Sequence, residues 1–345
     1  MRTFDIKPIT EKLLWGKVLA GISHFSFLQD WQWGEVEQAL GRYVIRLGIY
    51  EHHDLVGVCQ MVGYRAKKGN FLLIAHGPLF LPHLDEEYDQ SDAIKQIILY
   101  LQKNRVHKKY AYVRLQLQHF PEKEFGDELS RFGFVQAPIF SVTENFWVSD
   151  IAKSDSNLLG QMSSHHKKSV KDSLQKPYLE ITEETSKKGV DIFWELYEQL
   201  ADRKDFVPYS RELIQKETGI FSKDNKAKLY IASVEGKPIS SALIIYSGDT
   251  ASYHHGASLP AKEPISYKLH FQAMRDARDA GMHYYNFWGI AEDASPEHPW
   301  YGLTQFKKGF GGNLYECYGA MDYPLSFRYI PIRLLETLRK KKKKL

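Results

Sequence analysis

Cysteine is scarce in this chain. Only Cys59 and Cys317 occur, both inside apolar or aromatic stretches. That excludes a disulfide framework and any zinc site built on paired cysteines, and both thiols are expected to be packed and inert. Long apolar runs are missing as well. The richest, Phe71-Leu72-Leu73-Ile74-Ala75, falls far below the roughly 20 residues that a membrane-crossing helix needs. The segment Met1 to Pro8 has neither the continuous apolar stretch nor the small-residue cleavage site of a secretory signal, so the chain is expected in the cytoplasm. Charge of one sign is not in large excess, and a net +4 does not by itself argue for nucleic-acid binding. Glycine is absent from two places where an anion-cradling loop would be expected to open a helix, Leu84 to Asp92 and Ser258 to Ser266. In the second, Pro260 and Pro264 also remove backbone donors.

What is present is a globular composition, 43% hydrophobic over 345 residues, enough for two domains. Two stretches read alike. Tyr43 to Tyr50, Leu55 to Tyr64 and Phe71 to Ala75 form three strand signals separated by the turns His53-Asp54 and Lys67 to Asn70. Lys228 to Val234, Ile239 to Tyr246 and Ala251 to Gly256 repeat them, separated by Glu235-Gly236-Lys237-Pro238 and Ser247-Gly248-Asp249. A helix and a strand follow each triplet. In the first, Ser91 is the expected cap of a helix whose Ile94, Ile97, Ile98 and Leu101 share a face, and Tyr110 to Leu117 is the strand. In the second, Ser266 is the expected cap, Ala273, Met274, Ala277 and Ala280 line the helix, Gly281 closes it, and His283 to Gly289 is the strand. So long a period indicates a duplicated domain rather than a solenoid. The polar stretch Ser149 to Ser156 marks the boundary. Beyond it one helix is expected through Leu158, Leu159, Met162, Val170 and Leu174, with His165, Lys167, Lys168 and Lys171 on its other face, and another over about Asp191 to Asp202.

The richest segment runs from His283 to Gly312. A strand ends in Gly289-Ile290, a loop carries Asp293, Ser295, Pro296 and His298, and Gly302-Leu303-Thr304-Gln305-Phe306-Lys307-Lys308-Gly309-Phe310-Gly311-Gly312 follows. This pattern resembles the FemABX family, bridge-forming transferases that move an amino acid from aminoacyl-tRNA onto a peptidoglycan precursor. The resemblance extends to Phe27 to Trp33 with Leu40-Gly41, to His76-Gly77-Pro78-Leu79-Phe80, to Asp202 to Phe206, and to Gly256-Ala257-Ser258 with Tyr267. It implies an α/β fold of two tandem acetyltransferase-like (GNAT-like) lobes with mixed sheets. The first lobe would be residues 1–150 completed by 318–345, and the second residues 151–317. Gln116 and Asn286 depart from the family's usual acidic strand ends. Glu37 stands where some members have a phosphate-meeting lysine.

The same resemblance assigns Phe306 and Lys307 to the site that holds the ester end of the donor. Transfer from an ester to an amine passes through an oxyanion, and one placed donor in a dry site is worth roughly 3 to 4 kcal/mol. Lys307 is the candidate donor, and Phe306 shapes the pocket. Arg203 and Arg211 are candidates to grip the acceptor's pyrophosphate, since a guanidinium binds phosphate oxygens bidentately. Tyr209, Gly77, Pro78, Tyr267 and Gly302 complete the expected substrate-binding set. No Ser-His-Asp or Cys-His order is visible, and His254, His255, His283 and His298 stand as weak candidates for a general base. No metal and no cofactor are expected beyond aminoacyl-tRNA as donor substrate. The expected partners are that tRNA and a muramyl-pentapeptide precursor, soluble as the UDP form or lipid-linked, and the protein itself is expected to be a monomer.

Two rival readings stay open. An acyl-CoA-dependent N-acyltransferase would share the lobes, although the missing glycine loops disfavour it. A non-catalytic binder of tRNA or wall precursor would fit the altered Gln116, Asn286 and Glu37. Between Lys153 and Lys228 there is no room for a long coiled-coil arm, so a short-form member is expected. Finally, Leu334, Leu335 and Leu338 share a helical side just ahead of Arg339 and Lys340 to Lys344, a pattern of peripheral contact with the inner face of the cell membrane.

Overall fold

The computed structural model describes residues 3–22, 26–66, 69–82, 87–118, 123–292 and 294–343. It divides into two compact units, residues 1–144 with 316–345, and residues 145–315.

The first unit runs β1 (Phe4–Pro8), α1 (Lys12–Leu19), α2 (Trp31–Ala39), β2 (Tyr43–Glu51), β3 (Asp54–Tyr64), β4 (Phe71–Ala75), β5 (Leu79–Phe80), α3 (Glu87–Lys103), β6 (Tyr112–Gln116), α4 (Lys123–Phe132) and β7 (Val135–Gln136). The second holds β8 (Asn145–Asp150), α5 (Asp155–Gln161), α6 (Ser164–Leu174), β9 (Leu179–Glu183), α7 (Lys187–Lys204), α8 (Arg211–Ser222), β10 (Ala227–Val234), β11 (Lys237–Ser247), β12 (Thr250–Ser258), α9 (Ile265–Asp279), β13 (Tyr284–Gly289), α10 (Tyr301–Lys308) and β14 (Asn313–Glu316). The chain then returns to the first unit through β15 (Met321–Pro324) and α11 (Tyr329–Lys343).

The duplicated pattern is real. In each unit three antiparallel strands lead through a helix to a strand that pairs in parallel with the third, β4 with β6 and β12 with β13. The sheet orders are β1-β2-β3-β4-β6-β15-β7, with β5 beside β3, and β14-β8-β13-β12-β11-β10-β9. Alternation along the strands buries both faces. In β3, Cys59 and Met61 join Ile94, Ile97, Ile98 and Leu101 of α3, while the intervening Val58 packs with Trp15, Val18 and Leu19 of α1. In the second unit Tyr230, Ala232, Ala242 and Ile244 meet Leu269, Ala273, Met274 and Ala277 of α9. The alternate residues Leu229, Ile231, Leu243 and Ile245 are equally buried, and α7 and α8 cover that side of the strands.

Several local readings change. Ser91 is no cap, because α3 begins at Glu87 and the buried Ser91 hydroxyl instead donates to Glu128 of α4. Ser266 lies inside α9, which starts after Pro264, and its hydroxyl donates to Ser240 Oγ at 3.2 Å. The single helix expected through Leu174 is two, because Ser163 breaks it. Its backbone N–H donates to Gly309 O at 2.9 Å, and its hydroxyl caps α6 by accepting the His166 N–H. Asn145–Asp150, assigned to the first lobe by position, pairs with β13 in the second sheet. The turn at Lys67 and Lys68, and Asp293, lie outside the described residues.

One buried ionic cluster fixes the chain's return. Arg114 of β6 faces Asp322 of β15 in the antiparallel register, and its Nε and Nη2 donate to the two carboxylate oxygens at 2.8 and 2.9 Å. Nη2 also donates to Glu336 of α11 at 2.7 Å, and the Tyr329 hydroxyl donates to Asp322 at 2.9 Å. Breaking one partner of such a pair strands a buried charge, at a cost of roughly 3 to 5 kcal/mol. Asp322→Asn is expected to lower the free energy of unfolding by about that amount. Urea midpoints that match the wild type would contradict the role given to this cluster.

Candidate active site of the second unit

The expected catalytic pair sits where two strands stop pairing. β12 and β13 bond in parallel only over Thr250 to Ser252 and Tyr284 to Asn286. Past that point both strands are irregular: β12 shifts register against β11 between Leu243 and Ile244, and β13 shifts against β8 between Asn286 and Gly289. Lys307 of α10 reaches this place, and its Nζ donates to the Gly289 carbonyl at 2.6 Å and lies 5.8 Å from the centre of the Tyr253 ring. The side chain is buried, and among the described residues no carboxylate pairs with it. Burial therefore pulls its pKa from 10.5 down to about 7. An amine so placed holds a proton loosely at neutral pH.

Around it the site is aromatic. The half-buried Phe306 ring lies 5.3 Å from Tyr267, 5.5 Å from His270, 5.8 Å from His166 and 5.2 Å from Phe310. Burial, with the neighbouring Lys307 charge, lowers the pKa of His270 to about 3, so it is neutral; its Nδ1 shares a hydrogen bond with the Tyr285 hydroxyl at 3.1 Å. His166 is held below its usual range, first by burial. Its Nε2 donates to the Phe306 carbonyl at 2.9 Å, which leaves Nδ1 to accept from Ser163 Oγ at 2.9 Å. This chain of bonds fixes the backbone that carries Phe306 and Lys307. Tyr267, at the start of α9, shares a hydrogen bond with His165 at 3.2 Å. Gly302 lies exposed on α10 with open space around it.

The other expected substrate residues of this unit, Arg203, Arg211 and Tyr209, have their described contacts away from Lys307. Arg203, at the exposed end of α7, donates to the Ser258 carbonyl at 3.0 Å, and Arg211 forms an exposed ion pair with Asp191. Tyr209 is exposed, with its ring 5.2 Å from His255. Gly77 and Pro78 belong to the first unit, buried at the end of β4 against Gln29. Of the candidate bases, His283 and His298 are exposed. His254 and His255 are not: both face the buried Glu217 of α8, whose carboxylate oxygens lie 3.1 Å from His254 Nε2 and 2.8 Å from His255 Nε2. Sequence reading missed Glu217 altogether. Nothing in a helix 37 residues upstream of the histidines signals that it will meet them. A cavity of about 310 Å³ opens elsewhere on this unit, between β9, β10 and α9, and includes neither Phe306 nor Lys307.

Comparison with known proteins bears on the family and the fold. The sequence model of the FemAB family matches residues 234–337, which take in β11, β12, α9, β13 and α10. A lipid II:glycine glycyltransferase of Staphylococcus haemolyticus is 20% identical over 87% of this chain and 88% of its own length. One of Staphylococcus epidermidis is 31% identical over 106 residues, 30% of this chain, so that the match spans about a quarter (26%) of that relative. The match to the FemAB model over residues 234–337 and these relatives support membership of the FemABX family. The crystal structure of FemX shares its fold, with a TM-score of 0.82 at 17% identity over 96% of this chain and 100% of that one. A tandem GNAT protein from the clavulanic acid biosynthesis pathway matches at a TM-score of 0.58 and 9% identity, covering 94% of this chain and 99% of that one. The tandem GNAT-like organisation is thereby established.

Positions where the chain departs from the family pattern have structural tasks. Glu37 is buried, ion-paired with Arg42, and accepts from the Tyr64 hydroxyl at 3.1 Å. Gln116 accepts the N–H groups of Ser141 and Val142 at 2.6 and 2.9 Å, and Asn286 accepts that of Trp288 at 2.8 Å. The stretch Gly309-Phe310-Gly311-Gly312 is also explained. A Cβ on Gly309 would collide with the His166 ring, and Gly311 and Gly312 have φ of 83° and 115° against the backbones of Gln161 and Val148. Gly309→Ala is expected to displace His166, lowering the free energy of unfolding by roughly 1 to 3 kcal/mol. An unchanged thermal midpoint in that variant would show that the glycine is not needed for the packing of His166.

Proposed function

We propose that this protein is an aminoacyltransferase that carries an amino acid from aminoacyl-tRNA to an amine of a peptidoglycan-precursor stem peptide and so builds an interpeptide bridge. The observation that carries the reading is a buried, carboxylate-free lysine at the parting of β12 and β13, inside the segment matched to the FemAB family. The names of the relatives favour a lipid-linked acceptor and glycine as the residue moved. In the reaction the acceptor amine attacks the ester carbonyl, the new N–C bond forms, and the carbonyl oxygen gathers negative charge. The C–O bond to the tRNA then breaks, and the amine's proton leaves with the tRNA hydroxyl. Lys307 supplies the positive N–H donor to that oxyanion, and Phe306 with Tyr267 walls the ester end from water. No separate base is required where positioning and electrostatics dominate.

Lys307→Met is expected to cut turnover with charged tRNA and precursor by roughly a hundredfold or more. Turnover near wild type would end the oxyanion role. The pH dependence has a definite sign. Because the folded pKa is about 7 against 10.5 unfolded, the unfolded chain binds more protons between those values, and stability rises with pH across that window. The donor role runs the other way, since the ammonium fraction falls as pH rises through about 7. Wild-type turnover should therefore lose its Lys307-dependent advantage above neutral pH while its unfolding midpoint climbs. Lys307→Met should show neither trend.

The tail supports contact with a membrane surface. Tyr329, Ile332 and Glu336 turn inward on α11, whereas Phe327, Ile330, Leu334 and Leu338 stand exposed, followed by exposed Arg339, Lys340 and Lys341. Lys344 lies outside the described residues, and among those described no helix is long and apolar enough to cross a bilayer. An exposed apolar stripe beside basic residues, each worth about 1 kcal/mol near an anionic leaflet, suits a transferase whose acceptor is lipid-linked. Deleting Arg339 to Leu345 is expected to reduce co-sedimentation with anionic vesicles at low salt and to leave activity on a soluble precursor intact. Equal sedimentation of the full-length and shortened proteins would remove the tail as an anchor.

A further inference from the structure

A second chemistry-bearing cluster lies in the same unit, and the proposed transfer reaction does not use it. Glu217, on α8, is buried beneath His254 and His255 of β12. Consecutive residues of a regular strand point to opposite faces. Here the register shift between Leu243 and Ile244 inserts an extra residue in β12, with Leu243 opposite His255 and Ile244 opposite Tyr253. The two imidazoles consequently lie side by side, with ring centres 3.8 Å apart, and both present Nε2 to one carboxylate. One ligand atom from each of the three residues falls within 4.8 Å of the others.

We propose that Glu217, His254 and His255 form a three-ligand site for a zinc-class divalent cation that ties α8 to the bulge of β12. Two imidazoles and one carboxylate are the donor set of zinc and its transition-metal neighbours rather than of magnesium or calcium, which take oxygen donors. The spacing suits it. Metal bonds of about 2.0 to 2.2 Å in a tetrahedron place neighbouring ligand atoms a little over 3 Å apart. His254 Nε2 and His255 Nε2 lie 3.1 and 2.8 Å from the two oxygens of the same carboxylate, close to that separation, and one ligand atom from each residue falls within 4.8 Å of the others. Aromatic rings flank the cluster: that of Tyr209 lies 5.2 Å from His255, and that of Trp288 5.6 Å from His254.

This inference stands apart from the transferase reading, and its test needs no substrate. The full-length protein, stripped with a chelator and dialysed, is titrated with Co²⁺ and with Zn²⁺. The expected results are one ion per chain, a visible Co²⁺ spectrum of tetrahedral intensity that Zn²⁺ abolishes, and a Zn²⁺ Kd of about 1 µM or tighter. Zn²⁺ should raise the unfolding midpoint and Mg²⁺ should not, and affinity should fall as pH drops and the imidazoles take up protons. His255→Ala is expected to weaken binding by at least about a hundredfold, and Glu217→Gln, which keeps the shape of the buried side chain, by at least about tenfold. No stoichiometric ion on the wild type overturns the proposal whether or not the variants fold. Binding that survives in a folded His255→Ala or Glu217→Gln protein overturns it too, because the ion then sits elsewhere.

Discussion

The second unit is organised around an amine that it buries without a counter-charge. Lys307 gives its hydrogen bond to one backbone carbonyl, that of Gly289, and that acceptor is available only because β13 has left its pairing with β12 by the time it reaches Gly289. A carboxylate beside Lys307 would stabilise the ammonium and raise its pKa, but it would also neutralise the field that the proposed oxyanion role needs. Desolvation alone leaves a donor poised near neutrality, at the expense of stability. The trade is local, because the aromatic wall of Phe306, Tyr267, His270 and Phe310 keeps the surroundings dry while the His166 bridge from Ser163 to the Phe306 carbonyl holds the backbone in place.

Irregular strands are the means by which this unit places its polar groups. A bulge in β12 turns His254 and His255 to the same side over Glu217, and a second irregularity in β13 carries Trp288 at a φ of 64°, its N–H held by Asn286. Regular pairing would have sent alternate side chains to opposite faces and closed the gap that Lys307 enters. The glycines at 309, 311 and 312 serve the same end. They let the chain after α10 pass against His166, Gln161 and Val148, where any side chain would collide.

In the first unit the decisive polar contact has a different task. Arg114, Asp322 and Glu336 join β6, β15 and α11, and so bring residues more than 200 positions apart into one buried cluster. Because both acidic partners lie on the returning segment, the sheet gains β15 and the tail helix gains a fixed inner face through Tyr329, Ile332 and Glu336. That anchoring leaves Ile330, Leu334 and Leu338 on the outside of α11 beside its basic end.

Much of this was legible in the sequence, because alternation and turn chemistry are local signals. The two strand triplets, the helices lined by Ile94 to Leu101 and by Ala273 to Ala277, and the glycine-rich segment after Lys307 are encoded within a few residues of themselves, and the structure holds them within a residue or two of those bounds except at the helix starts. Ser91 and Ser266 misled because a hydroxyl ahead of an apolar run also serves a tertiary partner, here Glu128 and Ser240. The repeated strand and helix signals determined the duplicated α/β architecture, and the family resemblance of the segment around Gly302 to Gly312 singled out Phe306 and Lys307. Only the tertiary structure decided that Lys307 has no carboxylate partner among the described residues, that Arg211 is already paired with Asp191, and that Glu217 meets two consecutive histidines. The reason is physical: a pKa, an ion pair and a ligand set each depend on what arrives from distant segments and on how much water is left, and neither is written in the spacing of neighbouring residues.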